Sequence, residues 1–286
     1  MKDGRESSLS NLVEGKYINS YGVHRWSLKD RGIKVLTGVS ADNWTDFTNR
    51  LEGILPIDRL IVSPELITCT EIESENVTES RELIEDRVEQ MRKFSMNFPE
   101  ATIVLGTAIF GEEEKAKNGA LFIKDGEIIG KTTKKSTATE WEKENFSHDL
   151  DEKPVLIPGT NLGLLLCSDL SFFSIFSKGI HFPEAFFKKL KQENFIGKNP
   201  EFIHPETKGI IVSSCWGIGG NKLWQDVVGE SVDSYYESQL RAVTTNIMML
   251  NKEIDEIAVV DRVPDVGSDY EGIITSKPIN AFFSRK

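Results

Sequence analysis

Residues 118–134 read NGALFIKDGEIIGKTTK, and this stretch decides the kind of sheet the chain builds. Two apolar runs are joined through Lys124-Asp125-Gly126, a strong hairpin signal because Asp-Gly tolerates the positive φ that tight turns require. A hairpin makes antiparallel neighbours in the middle of the chain. A doubly wound parallel sheet, whose strands are joined by helical crossovers, would not need one.

Working outward toward the N-terminus, residues 102–110 (TIVLGTAIF), 58–64 (DRLIVSP) and 32–40 (GIKVLTGVS) are short apolar runs that read as buried strands. Between them, residues 41–55 read as a helix capped by Asp42 or Asn43. Residues 78–97 read as a second helix, with Leu83, Val88, Met91 and Phe94 on one face. Toward the C-terminus, residues 154–157, a turn at Gly159 and residues 162–167 (LGLLLC) form a strand pair or a bent strand. Residues 209–214 (GIIVSS) are again strand, 233–246 helix, and 254–260 a last strand before a Gly-, Pro- and Asp-rich tail. Residues 1–30 carry no clear periodicity and are expected to form an N-terminal arm or poorly ordered lead-in. Helices alternate with strands, yet the middle holds consecutive strands. The expected class is therefore α/β with mixed sheets and helices packed outside. No internal repeat or low-complexity linker divides residues 31–286, which read as one domain.

Composition excludes several function classes. The net charge is −11, and Lys131, Lys134 and Lys135 are the nearest approach to a basic patch, so nucleic acid is not an expected partner. No apolar run reaches the 18 or so residues that span a bilayer, and residues 1–20 lack the apolar core of a secretory signal. Three cysteines, Cys69, Cys167 and Cys215, suggest free thiols and a cytoplasmic setting. The four histidines are scattered and no Cys-x-x-Cys occurs, so neither a metal nor another cofactor is expected. Asp261, Asp265 and Asp269 lack the Gly and Glu positions of a calcium loop. Residues 217–222 lack the Gly-Lys-Ser/Thr of a phosphate loop.

Three segments each put a reactive side chain at the end of an apolar strand. Glu65 follows Ile61-Val62-Ser63-Pro64, and a strand end is where an α/β fold presents site residues at fixed positions. A solvated loop carboxylate is the plain alternative. Lys134 closes the second strand of the hairpin, where an ammonium can stabilise an oxyanion or can simply discourage edge pairing. Cys167 ends Gly163-Leu164-Leu165-Leu166. It reads as an inert core thiol or, because Ser168-Asp169 follow at once, as a sulfur at the rim.

Together and in this order the three segments resemble the nitrilase superfamily of carbon–nitrogen hydrolases. Pro64-Glu65 matches its first motif. Asn118, Asp125-Gly126 and Gly130 to Lys134 match its second, and Gly163 to Asp169 its third, while Arg241-Ala242 and Asn246 echo a later helix. The resemblance covers roughly residues 32–260. It implies an α-β-β-α sandwich in which two mixed sheets pack face to face with helices outside. It also implies that Glu65 is the general base, Cys167 the nucleophile, and Lys134 with the backbone N–H of Ser168 the oxyanion stabiliser. A thiol of ordinary pKa is only a few per cent ionised at neutral pH and needs such a base. A second glutamate that positions substrate and the lysine is expected at Glu142, with Glu140 and Glu144 in the same run.

The chain also departs from the family. Ser168 stands where an aromatic residue is usual, which favours a small amide or N-carbamoyl substrate over a nitrile. An insertion is expected near 171–207, beside the pocket mouth, and Trp216 is expected on a substrate-side turn. Residues 261–286 depart from the family's closing strand pair. The resemblance further implies a homodimer or higher homo-oligomer. Two rival outcomes stay open at this level: a catalytically inactive binding or scaffold protein of the same fold, and an acyltransferase using the same triad.

Overall fold

The computed structural model describes residues 13–29, 31–72, 76–112, 115–136, 140–147, 152–167, 169–170, 202–215, 220–221, 232–262, 273–274 and 278–286. Its larger sheet runs in the order β2 (Gly22–Ser27), β3 (Val35–Ser40), β4 (Leu60–Val62), β5 (Thr102–Ile109), β6 (Ala116–Lys124), β7 (Glu127–Thr133), and β8 (Phe146–Ser147) pairs with β6. The pairs β3/β4 and β4/β5 are parallel, whereas β2/β3, β5/β6 and β6/β7 are antiparallel. The smaller sheet runs β1 (Val13–Ile18), β14 (Asn280–Arg285), β12 (Glu256–Asp261), β10 (Gly209–Ser214), β9 (Leu162–Leu166). It is parallel across β12/β10/β9 and antiparallel at its other end. A short antiparallel pair joins β11 (Gly220–Asn221) to β13 (Ile273–Ile274).

Alternation along the strands sorts the core into layers. Ile211, Ala258, Val260, Leu164 and Leu166 of the smaller sheet meet Leu36, Leu60, Val62, Val104 and Phe122 of the larger one. Their neighbours Ile210, Val212, Ile257 and Val259 face the other way, against Leu240, Val243 and Ile247 of α4 (Val232–Leu250). On the far face of the larger sheet, Ile61, Ile103, Leu105 and Leu121 pack on Trp44 and Phe47 of α1 (Trp44–Arg50) and on Met91 of α2 (Arg81–Ser95). The result is the expected α-β-β-α sandwich with two mixed sheets. Strands covered on both faces lack a polar face, which is why they read as continuous apolar runs. Asn43, one of the two expected caps, caps α1 by accepting the Asp46 amide at 2.9 Å.

The hairpin forms as expected. Asp125 (φ 47°) and Gly126 (φ 78°) both sit in the left-handed region, with Lys124 opposite Glu127.

Three expectations are corrected. Residues 13–27 are not an arm: β1 pairs with β14 and β2 with β3, one in each sheet. Their sequences, VEGKYI and GVHRWS, are edge strands with mixed exposure, so polar side chains hide the pattern while main-chain ladders hold them. The strand over residues 256–261 is not the last. Asn280–Arg285 adds another, with Ala281 and Phe283 buried toward α4 and Phe282 packed on the inter-sheet side. On α2, Leu83 is exposed, and the buried residues are Ile84, Arg87, Met91 and Ser95. Arg87 takes the inward position because the two terminal nitrogens of its guanidinium donate to the carbonyls of Thr68 and Thr70 and to Glu71. Residues 171–201 of the expected insertion lie outside the described residues.

Candidate active site

Glu65 is placed by a tight join between the sheets. β4 ends at Val62, and the Ser63 hydroxyl accepts the Gly106 amide at 2.8 Å. Ser213 on the other sheet donates to the Ser63 carbonyl at 2.9 Å. The main chain then bends through Leu66 in the left-handed region (φ 51°). Arg262, fully buried just after β12, donates its Nε to the Glu65 carbonyl at 3.0 Å. This bend aims the Glu65 carboxylate away from solvent, and the residue is 1% exposed.

Lys134 arrives from the opposite edge. The outer half of β7 is exposed and its last two residues, Thr132 and Thr133, are buried, so Lys134 follows where the chain enters the core. Its amide donates to the Asn118 carbonyl on β6 at 2.8 Å. Its ammonium lies 2.8 Å from Glu65 Oε1 and 2.5 Å from Glu142 Oε1. Glu142 comes from α3 (Glu140–Asn145) and is buried, whereas Glu144 on the same helix is exposed. Asn145 pins α3 by accepting the Val77 amide, and Trp141 packs edge-on against Phe146.

Cys167 follows β9 and is 3% exposed, with its backbone in the left-handed region at φ 37°. Such a conformation costs on the order of 1–3 kcal/mol in a residue bearing a Cβ and breaks strand alternation at this point. The thiol lies beside the Glu65 carboxylate, close enough for each to shift the other's titration. Two residues on, the Asp169 carboxylate accepts the Lys135 amide at 3.1 Å and the Ser136 hydroxyl at 2.8 Å, so the turn that carries the cysteine is tied to the segment that carries the lysine.

Burial governs the electrostatics. It raises Glu65 above the usual carboxylate range, with Lys134 opposing and Glu142 reinforcing. Burial alone would lower Lys134, but Glu142 and Glu65 outweigh it and hold the ammonium well above its ordinary range. The Cys167 thiol is pushed well up, by burial first and by Glu65 next. Asp169 is raised by burial to about 7. Two carboxylates and one ammonium already leave a net negative charge in a buried space. A resting thiolate would add a second, so the thiol stays protonated until its proton can move.

Glu65, Lys134, Cys167 and Glu142 therefore meet in one buried cluster. Ser168 and Trp216, expected to touch substrate, lie outside the described residues. Two participants went unassigned at the sequence level. Asn118 stood in the second motif without a role, yet its Nδ2 donates to Glu65 Oε1 at 2.9 Å and to Glu142 Oε1 at 3.1 Å. Arg262 gave no sequence signal, because a fully buried arginine runs against its usual placement.

No family model matches the sequence, and no curated protein matches it. Solved structures do. A carbon–nitrogen hydrolase from Helicobacter pylori G27 aligns over 94% of this chain and 88% of its own, at 17% identity and a TM-score of 0.53. Saccharomyces cerevisiae Nit3, a member of branch 10 of the nitrilase superfamily, aligns over 96% and 90% at 13% identity and a TM-score of 0.46. An amidase of the same superfamily from Nesterenkonia AN1, in a mutant form, aligns over 80% and 78% at 16% identity and a TM-score of 0.46. The chain has the nitrilase fold.

Proposed function

We propose that this chain hydrolyses a non-peptide carbon–nitrogen bond of a small amide or N-carbamoyl compound through a thioester on Cys167. The observation that carries the reading is the buried ammonium of Lys134, 2.8 Å from Glu65 and 2.5 Å from Glu142, in the cluster where the Cys167 thiol meets Glu65. The H. pylori protein of like fold is a carbon–nitrogen hydrolase, which favours the same class of bond.

The charge balance dictates the order of events. Glu65 takes the thiol proton as Sγ forms a bond to the carbonyl carbon, so the cluster never holds a free thiolate beside two carboxylates. The carbonyl oxygen becomes an oxyanion, stabilised by the Lys134 ammonium and, in this proposal, by the backbone N–H of Ser168. The carbon–nitrogen bond breaks as Glu65 returns the proton to nitrogen, and ammonia or an amine departs. Water then attacks the thioester, giving a proton to Glu65. The thiol leaves, recovers that proton, and the acid product is released. Glu142 shares the ammonium and fixes where it points. The assembly implied by the resemblance, a homodimer or larger, belongs to the same proposal and is open to light scattering.

The test is ammonia release from a panel of amides, N-carbamoyl compounds and nitriles, by wild type and by Cys167→Ala, Cys167→Ser and Glu65→Gln. Turnover by wild type alone, with an acyl adduct on Cys167 by intact mass, is the expected result. Full turnover by either cysteine variant overturns the nucleophile. Preferred turnover of nitriles overturns the substrate class.

A further inference from the structure

Building on the reading of Glu65 as the base, we propose that Asn118 is a positioning residue that keeps Glu65 and Glu142 ionised side by side and turns one chosen oxygen of Glu65 toward the cysteine. Four distances carry it. Oε1 of Glu65 and Oε1 of Glu142 share the same two nitrogens: Lys134 Nζ at 2.8 and 2.5 Å, and Asn118 Nδ2 at 2.9 and 3.1 Å. One ammonium cannot neutralise two carboxylates, and both carboxylates are buried. Hydrogen-bond donors must meet the remaining negative charge, because an unpaired buried charge is costly.

A primary amide suits this place. Ionised carboxylates only accept, so the side chain must present its NH2 to them, and its two hydrogens match two acceptors without adding charge. Asn118 Oδ1 has no hydrogen-bond partner among the described residues. An asparagine kept for structural bridging would use both ends. Among the described residues, this one spends its polar side-chain contacts on Glu65 and Glu142. Its backbone is fixed independently, since its carbonyl accepts the Lys134 amide at 2.8 Å and β6 runs between β5 and β7. With Oε1 of Glu65 occupied by two donors, Oε2 is the oxygen left for the proton exchanged with Cys167.

The charged and titratable groups that face Glu65 are Lys134 after β7, Glu142 on α3, and Cys167 and Asp169 after β9. Arg262, after β12, meets its main-chain carbonyl. Hydrogen bonds donated to a carboxylate favour its charged form. Removing the Asn118 donor therefore leaves Glu65 protonated, and unable to accept the thiol proton, up to a higher pH.

The experiment measures the rate at which iodoacetamide alkylates Cys167 as a function of pH in the full chain. Peptide mass spectrometry separates Cys167 from Cys69 and Cys215. In Asn118→Ala the low-pH limb of the profile is expected to move up by about one pH unit, and further in Asn118→Asp, which replaces the donors by another acid. Asn118→Ser, which keeps one hydroxyl donor and costs least in folding, is expected to fall between wild type and alanine. Melting temperatures are recorded in parallel. A limb that stays in place in every folded variant, with only the melting temperature falling, makes Asn118 structural and overturns the proposal. Glu65→Gln separates the two levels of the argument. A wild-type profile in that variant overturns Glu65 as base, whereas a limb lost there but unmoved in the Asn118 variants overturns only the role of Asn118.

Discussion

Gly106 lies directly beneath Glu65: a Cβ at position 106 would stand 2.3 Å from the Pro64 carbonyl oxygen and 2.8 Å from the Glu65 Cα. Both are backbone atoms, so no side chain can swing aside. Gly106 thus lets β5 come close enough for the Ser63 hydroxyl to accept the Gly106 amide, and so sets the height of Glu65, the proposed base, above the sheet. Gly106→Ala is expected to destabilise the fold by about 1–3 kcal/mol, the usual cost of overpacking. It should also lower kcat by ten-fold or more, because a shift of roughly 1 Å in a catalytic group costs up to about a hundred-fold. Urea unfolding and the kcat measured on the best amide of the panel check this. An unchanged kcat would show that Glu65 is positioned by Arg262 and Ser213 without help from the glycine.

Lys134 places one ammonium between two buried carboxylates, and its removal should show a pH signature. Breaking a buried pair by deleting one partner costs about 3–5 kcal/mol. In Lys134→Met, Glu65 loses the charge that opposes its upward shift, so the folded state binds its proton more readily than the unfolded chain does. Stability from such a group is present at low pH and is lost as pH rises through its raised folded pKa. The deficit relative to wild type should therefore be larger at pH 8 than at pH 5. Urea titrations at both values decide it; a deficit independent of pH would mean that the lost alkyl packing, not charge, dominates.

Much of this arrangement was legible in the sequence, and what was not has physical causes. The strands before Glu65 and Cys167 announced themselves because both faces of each are covered. The hairpin was legible because Asp125 and Gly126 need left-handed backbone. β1 and β2 were not, since their partners are distant in sequence and their side chains half-exposed. Glu142 could be singled out from Glu140 and Glu144 only by family spacing, because any of the three could have faced inward until Trp141 and Asn145 fixed the rotation of α3. Asn118 and Arg262 act through groups brought together from other strands, which no local pattern reports.

Asp169 offers a separate pH test. Burial raises it from 3.8 to about 7. The sign follows from linkage: the folded state holds this proton more tightly, so the contribution is fully present below about pH 4 and is lost as pH rises through 7. For a shift of that size the loss is on the order of 4 kcal/mol, at 1.36 kcal/mol per unit. Asp169→Asn removes the titrating group. The stability gap between wild type and this variant is expected to change steadily between pH 5 and 7 and to level off above 8. Calorimetric unfolding across that range checks it, and parallel curves would show that Asp169 is ionised throughout.

The backbone of Cys167 makes a prediction that sets function against stability. At φ 37° a residue with a Cβ is strained, whereas glycine is not. Cys167→Ala keeps the strain and removes only the thiol. Cys167→Gly removes both, at the cost of more freedom in the unfolded chain, about 0.5–1 kcal/mol. Because relief of the left-handed strain is worth on the order of 1–3 kcal/mol, the glycine variant should be the more stable of the two by about 1 kcal/mol. Both should be inactive. Thermal unfolding of the pair settles the comparison. A glycine variant less stable than the alanine one would mean that the Cys167 turn relaxes once the sulfur is gone, and that contact with the Glu65 carboxylate, not the path of β9, holds the backbone in its left-handed state.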